Sequence, residues 1–79
     1  MNQFDKYIRS NDPIISEAAE NMNIATADYK AGKITKAEYD ELCEDICDID
    51  AIVSQLFDMV RFQLIYDTFS ALLKISSLI

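Results

Sequence analysis

The sequence has no histidine and no tryptophan, and it has only one glycine, one proline and two cysteines in 79 residues. Without histidine the chain lacks the usual base that activates a serine or cysteine nucleophile, and it lacks the commonest metal ligand. A single glycine cannot build a glycine-rich phosphate-binding loop. These absences argue against an enzyme, and we expect no catalytic residue, no cofactor and no metal site.

Basic residues are scarce as well, because seven of them stand against fourteen acidic residues and give a net charge of −7. Nucleic-acid binding requires basic surface that displaces counterions, so we expect no direct binding of nucleic acid. The C-terminal third is rich in apolar residues but is interrupted by Asp58, Arg61, Asp67 and Lys74. Each such charge costs roughly 2.5–3.5 kcal/mol at the centre of a bilayer, so we also expect no membrane span.

Cys43 and Cys47 lie four residues apart in a predicted helix, which places them on one face without the geometry of a disulfide. We expect both to be small buried hydrophobic residues. The low cysteine content, together with the charges in the first ten residues, predicts an intracellular protein.

Two start signals predict a helical hairpin. Asp12 followed by Pro13 is typical of an N-cap and first helical position, and predicts a helix over residues 13–31 that ends near Gly32. Thr35 and Glu38 form a capping box that starts the next helix. The first helix carries an apolar stripe at three- and four-residue steps: Ile15, Ala18, Met22, Ala25 and Tyr29.

Beyond Thr35 no glycine or proline interrupts the chain, so a helix is predicted over residues 36–78. Two interpretations remain open: one long bent helix, or a split near residues 48–51 where Asp48 or Asp50 caps a separate helix. One heptad stripe fades as a second begins. The first comprises Tyr39, Leu42, Ile46, Ile49, Val53, Leu56 and Val60, and the second Ile52, Met59, Tyr66 and Leu73.

The fold class is therefore predicted to be all-α, a single domain with a helical hairpin and a long C-terminal helix. Residues 1–9, with Phe4 and Ile8 four apart, form an N-terminal arm that either docks on a neighbouring molecule or frays. The C-terminal helix is apolar around much of its circumference and needs further helices against it. These come either from the same chain, as a three-helix bundle, or from other chains, as an oligomeric, coiled-coil-like bundle.

The predicted function is non-enzymatic assembly through helix–helix packing, with the protein itself or a larger protein as partner. The predicted interface residues are Phe57, Val60, Phe62, Leu64, Tyr66, Phe69, Leu73, Leu78 and Ile79. An alternative function is that of a small acidic inhibitor or regulator, such as a host-factor inhibitor, a lysis regulator or a nucleic-acid mimic, that binds a basic protein. Its acidic face would comprise Asp40, Glu41, Glu44, Asp45 and Asp48.

The eleven residues from Tyr29 to Tyr39 resemble the turn-and-cap element of small helical hairpins, including SHOCT-like modules. This element encodes a turn and implies no function. The whole chain, tiny and acidic with a hairpin and a very apolar tail, is similar to small helical proteins of tailed bacteriophages. That resemblance implies a virion or tail-assembly component, or a small inhibitor made during infection.

Overall fold

The computed structural model describes residues 3–53 and 58–79, with side chains described outside residues 52–57, and this part of the chain is all-α. Its five helices are α1 (Asp5–Ile8), α2 (Pro13–Lys30), α3 (Lys36–Ile46), α4 (Ile49–Val53) and α5 (Met59–Ser77). No strand occurs among these residues. The expected fold class, all-α with a helical hairpin and a long C-terminal helix, is confirmed.

The N-terminal arm packs on its own chain. Phe4 is 1% exposed and belongs to the hydrophobic core, and Tyr7 and Ile8 pack against that core. The Ser16 hydroxyl, on α2, donates to the Ile8 carbonyl at 2.7 Å, which fixes the end of α1 against α2. The described residues of the arm therefore pack on α2 of the same chain, and docking on a neighbouring molecule stays a prediction.

The hairpin of α2 and α3 follows the predicted signals. Asp12 accepts from the Ile14 amide at 2.9 Å, and Thr35 and Glu38 make both hydrogen bonds of the capping box. Gly32 has a φ of +76°, in the left-handed region that favours glycine at a helix C-terminus. Of the predicted α2 stripe, four members are buried and Tyr29 is half-buried, so this face was predicted correctly.

The predicted helix over residues 36–78 is divided. α3 ends at Ile46, and Asp48 caps α4 by accepting from the amides of Asp50 and Ala51 at 3.0 and 3.4 Å. An uninterrupted helix is therefore wrong, and a split at the expected place is found. A second helix start, which the sequence analysis missed, lies at Asp58, whose carboxylate accepts from the Val60 amide at 2.9 Å.

α5 lies against α2 and α3 and contributes a stripe that neither predicted heptad contains. Its buried residues are Ile65, Phe69, Leu72 and Ser76, spaced by four, three and four residues. The carboxylate of Asp12 accepts two hydrogen bonds from the Arg61 guanidinium, each of 3.1 Å. This contact places the first turn of α5 beside the start of α2, so the two helices begin at the same end of the molecule.

Candidate functional site

The chain has a core of its own, but most of its exposed apolar side chains lie on α5. Seven large hydrophobic side chains are exposed in the described part of the chain. Five of them belong to α5 or its C-terminal cap. The five are Met59 at 78% exposure, Val60 at 79%, Leu64 at 52%, Tyr66 at 48% and Leu78 at 80%. The surface of α5 that faces away from the core is therefore the strongest candidate for an interaction site.

The nine residues of the predicted interface fall into four groups. Val60, Leu64, Tyr66 and Leu78 are exposed, and Phe62, Leu73 and Ile79 are half-buried, with Leu73 and Ile79 packed against the core. Phe69 is 2% exposed and lies inside the core, so in this chain it has no surface to offer a partner. Phe57 lies outside the described residues.

The exposed and half-buried apolar residues of α5 form two stripes on opposite sides of its buried face, because residues seven apart share one side of a helix. Stripe A comprises Met59, Phe62, Tyr66 and Leu73, and stripe B comprises Val60, Leu64, Ala71 and Leu78. A polar strip separates the two on the outermost side, where the Gln63 amide donates to the Asp67 carboxylate at 2.9 Å.

Stripe A contains a pair of neighbouring aromatic rings, and it ends at a groove. The Phe62 and Tyr66 rings lie 6.2 Å apart with their planes tilted by 31°. At the other end of the stripe, a groove of about 340 Å³ opens between α3 and α5, bordered by Leu73, Ser76 and Ser77 of α5 and by Lys36, Asp40, Cys43 and Glu44 of α3. An apolar side chain from outside can therefore lie against Leu73 in this groove.

Stripe B runs past the start of α2. A shallow, open depression beside Leu64 is bordered by residues 10–13 and by Arg61. The Arg61 guanidinium is hydrogen-bonded to Asp12 at this depression, so a charged pair lies next to Leu64. The Arg61 hydrogen bonds hold the pKa of the Asp12 carboxyl below its usual value, and Asp12 raises the pKa of Arg61.

The core contains a polar cluster beside the two buried cysteines. Tyr39 is fully buried, and its hydroxyl lies 2.8 Å from that of Thr26. The Cys47 thiol donates to the Met22 sulfur at 3.4 Å. Burial raises the pKa of Cys47 to about 12 and also raises the pKa of Cys43. Since the thiolate is the nucleophilic form, neither cysteine is suited to attack a substrate, and both are the free, buried hydrophobic residues that the spacing predicted.

The acidic residues of α3 and the following turn point outward. Asp40, Glu41, Glu44, Asp45 and Asp48 are all exposed. Asp40 forms a 3.2 Å salt bridge with Lys36, and within the described residues Glu41, Glu44 and Asp45 have no cationic partner. This face is thus negative and solvated. Exposed ion pairs such as Lys36–Asp40 contribute little to stability.

Two classes of site are not found in the part of the chain that the structure describes. Histidine, cysteine, aspartate and glutamate side chains form no group of three or more there that could hold a metal ion. Among the same residues, no helix combines the length and the apolar character needed to cross a bilayer.

Comparisons with protein-family models, with curated proteins and with solved structures give no match to this chain. The resemblance to small phage proteins therefore stays a prediction, and the surface of α5 has to be interpreted from its own chemistry.

Proposed function

We propose that this protein is a non-enzymatic assembly protein that associates through the apolar outer surface of α5. The observation that supports this most directly is the concentration of exposed apolar side chains on α5, in a protein whose other surfaces are strongly charged. Scattered exposed apolar residues are ordinary, but contiguous ones mark interaction surfaces. We place the protein inside a cell or in a virion, with itself or a larger protein as partner.

The charge distribution supports association at α5 and not elsewhere. α5 with its cap carries two acidic residues, Asp58 and Asp67, and two basic residues, Arg61 and Lys74, so its formal charge is zero. The net charge of −7 therefore resides on the other segments. Two molecules that approach through α5 avoid the repulsion that their acidic faces would impose.

Light scattering across a range of protein concentrations, at low and high salt, tests the proposal. We expect the mass to rise above 9.0 kDa with concentration and to be insensitive to salt, because apolar burial drives the association. The double variant Val60→Asp/Tyr66→Asp, which changes one residue of each stripe, should shift the mass toward the monomer while keeping its helical circular dichroism.

A matched control is Glu17→Gln/Glu20→Gln on the exposed side of α2, which changes the formal charge by the same magnitude of two and leaves α5 intact. This variant should associate like the wild type. A wild-type protein that stays monomeric at every concentration would contradict self-assembly.

The acidic regulator is the second candidate, because Glu41, Glu44 and Asp45 are exposed and have no cationic partner in the described part of the chain. In this role the α3 face would bind a basic surface of another protein. The variant Glu41→Gln/Glu44→Gln/Asp45→Asn should fold normally. It should lose binding to a basic partner if the regulator interpretation holds, and retain self-association if the assembly interpretation holds.

The phage resemblance fits either candidate, as a virion or tail-assembly component or as an inhibitor made during infection. Electron microscopy of purified particles, or co-purification with an infected host's proteins, would separate these two settings.

A further inference from the structure

We infer that stripe A is the self-association surface and that it binds stripe A of a second copy with the two α5 helices antiparallel, related by a two-fold axis at Tyr66. The inference rests on the proposed function and specifies its partner and its contact surface. It is carried by the arrangement of apolar and charged residues along α5, by the groove beside Leu73, and by the difference between the two stripes.

Stripe A is symmetric about Tyr66. Met59 lies seven residues before Tyr66 and Leu73 lies seven residues after it, so an antiparallel pair places Met59 of one copy against Leu73 of the other. The two Tyr66 rings then meet at the axis. A closed dimer of this kind requires a patch that is complementary to its own reversed copy, and stripe A meets that requirement.

The residues between these anchors alternate in size as close packing requires. Phe62 lies four residues before Tyr66, and Ser70, four residues after it, is exposed. Antiparallel pairing therefore sets a large side chain against a small one on either side of the axis. In a parallel pair Phe62 would meet Phe62 and Ser70 would meet Ser70, which leaves a gap.

The charged residues at the two ends of stripe A also favour the antiparallel orientation. Asp58 lies eight residues before Tyr66 and Lys74 lies eight residues after it, and both are exposed without a salt bridge in the described part of the chain. An antiparallel pair brings Asp58 of each copy toward Lys74 of the other. A parallel pair would bring like charges together at both ends, which is unfavourable.

The groove between α3 and α5 gives the approaching helix room. Its wall includes Leu73, so Met59 of the second copy, which is 78% exposed in its own chain, can lie in it. The rim carries Asp40 and Glu44 as well as Lys36, which is already paired with Asp40, so its net charge of −1 opposes Asp58 of the second copy. Apolar contact at Met59, Tyr66 and Leu73 is therefore the main stabilising contribution, and charge sets the direction.

Stripe B lacks this symmetry. It has Val60 and Leu64 at one end and the small Ala71 between these and Leu78, and Arg61 lies beside Leu64 in its hydrogen bonds to Asp12. Reversal about its midpoint at residue 69 places Val60 opposite Leu78, but it sets Leu64 opposite Lys74 and Ala71 opposite Asp67. Stripe B is thus a weaker candidate for a two-fold contact.

Sedimentation analysis of Tyr66→Glu and Leu64→Glu tests the choice of stripe. The two residues are 48% and 52% exposed, so the substitutions introduce the same charge at similar depth. Tyr66→Glu places two carboxylates at the axis and should weaken dimerisation at least about ten-fold, whereas Leu64→Glu should change it by less than about two-fold. If Tyr66→Glu loses its helical circular dichroism, Met59→Glu replaces it.

A spin label on Leu78→Cys, in stripe B and outside the groove, tests the orientation, and the buried native cysteines should stay unlabelled. Leu78 is twelve residues from Tyr66, so the two labelled backbones should be roughly 37 Å apart in the antiparallel dimer, and about 8–10 Å apart in a parallel one. A short distance, or dissociation by Leu64→Glu alone, overturns this inference and leaves the proposed function standing. A wild-type chain that never associates overturns both.

Discussion

The structure determines which hydroxyl donates in the hydrogen bond between Thr26 and Tyr39. The contribution of this bond to the free energy of unfolding can be measured. Thr26 is 5% exposed, Tyr39 is fully buried, and their hydroxyl oxygens lie 2.8 Å apart. The single proton of the Thr26 hydroxyl is donated to the Met22 carbonyl at 2.8 Å. Tyr39 must therefore donate and Thr26 must accept, since each hydroxyl has one proton.

This direction predicts unequal effects for the two single substitutions. Tyr39→Phe removes the donor and leaves no buried donor unpaired, so it should lower the free energy of unfolding by about 1 kcal/mol. Thr26→Val leaves the buried phenol without its acceptor and should cost about 1–3 kcal/mol. The Cys43 sulfur next to the phenol is only a weak acceptor and does not replace the lost partner.

The double variant Thr26→Val/Tyr39→Phe replaces both polar groups with apolar ones of similar shape. It should cost less than the sum of the single variants by about 1 kcal/mol, because no unpaired group remains. Urea unfolding followed by circular dichroism measures these differences. Thermal unfolding should show shifts of about 4–8 °C per kcal/mol in a chain of this size.

Tyr29→Phe is the control, since the Tyr29 ring stacks on Tyr39 at 5.0 Å but is half-buried with no buried hydroxyl network. Its effect should stay within about 0.5 kcal/mol. The derivation is refuted if Tyr39→Phe costs more than Thr26→Val, or if the two single effects add to the effect of the double variant.

Three further predictions follow from burial. Ile65→Ala should cost about 2–5 kcal/mol in urea unfolding and Leu64→Ala less than about 0.5 kcal/mol, and equal effects would mean that another side of α5 faces the core. Phe4→Ala should cost about 3 kcal/mol and increase amide exchange in α1, whereas an unchanged exchange rate would rule out docking of this helix. Burial raises the pKa of Tyr39 and Cys47 to about 12 from ordinary values of 10.0 and 9.0, so the unfolded chain releases these protons first as the pH rises. Stability should be complete below pH 9 and fall as the pH rises through 12, and a flat profile in alkaline unfolding experiments would contradict this.

The features that depend on a few neighbouring residues could be predicted from the sequence. The caps at Asp12, Thr35 and Asp48 are set by hydrogen bonds to amides two or three residues away. The first two were expected at their positions, and Asp48 was one of the two residues considered for the split. The α2 stripe was predicted for a related reason, since Glu17 and Glu20 separate its apolar positions clearly and leave one choice of buried face.

The buried face of α5 could not be predicted in the same way. Apolar residues occur on three sides of this helix, so periodicity alone does not decide which side faces the core. The heptad of Ile52, Met59, Tyr66 and Leu73 was the more regular pattern, but Met59 and Tyr66 are exposed, and the Ile52 side chain lies outside those that the structure describes. The stripe that is buried ends in Ser76, whose hydroxyl donates to the Leu73 carbonyl at 2.8 Å and so tolerates burial.

The candidate site, too, could be predicted only in part from the sequence. The sequence analysis pointed to the apolar tail, where most of the exposed large hydrophobic side chains of the described residues lie, and its role in association stays a prediction. It assigned Phe69 to the interface because only the contact with α2 and α3 reveals that this ring is used internally. The docking of Phe4 was missed because a four-residue helix has too few positions to show a period.

The link between Asp12 and Arg61 has a consequence for the order of folding. It joins residues 49 apart in sequence, whereas the Thr26–Tyr39 bond joins residues 13 apart. Closing the longer loop costs about 1.2 kcal/mol more chain entropy, from the logarithmic dependence on loop length. The α2–α3 hairpin should therefore form in the folding transition state before α5 docks. In stopped-flow experiments, substitution of Thr26 should slow folding, and substitution of Arg61 should mainly speed unfolding. The helix that we assign to association would then be the last to be fixed, which leaves nascent chains a period in which α5 can meet a second copy before its own core is complete.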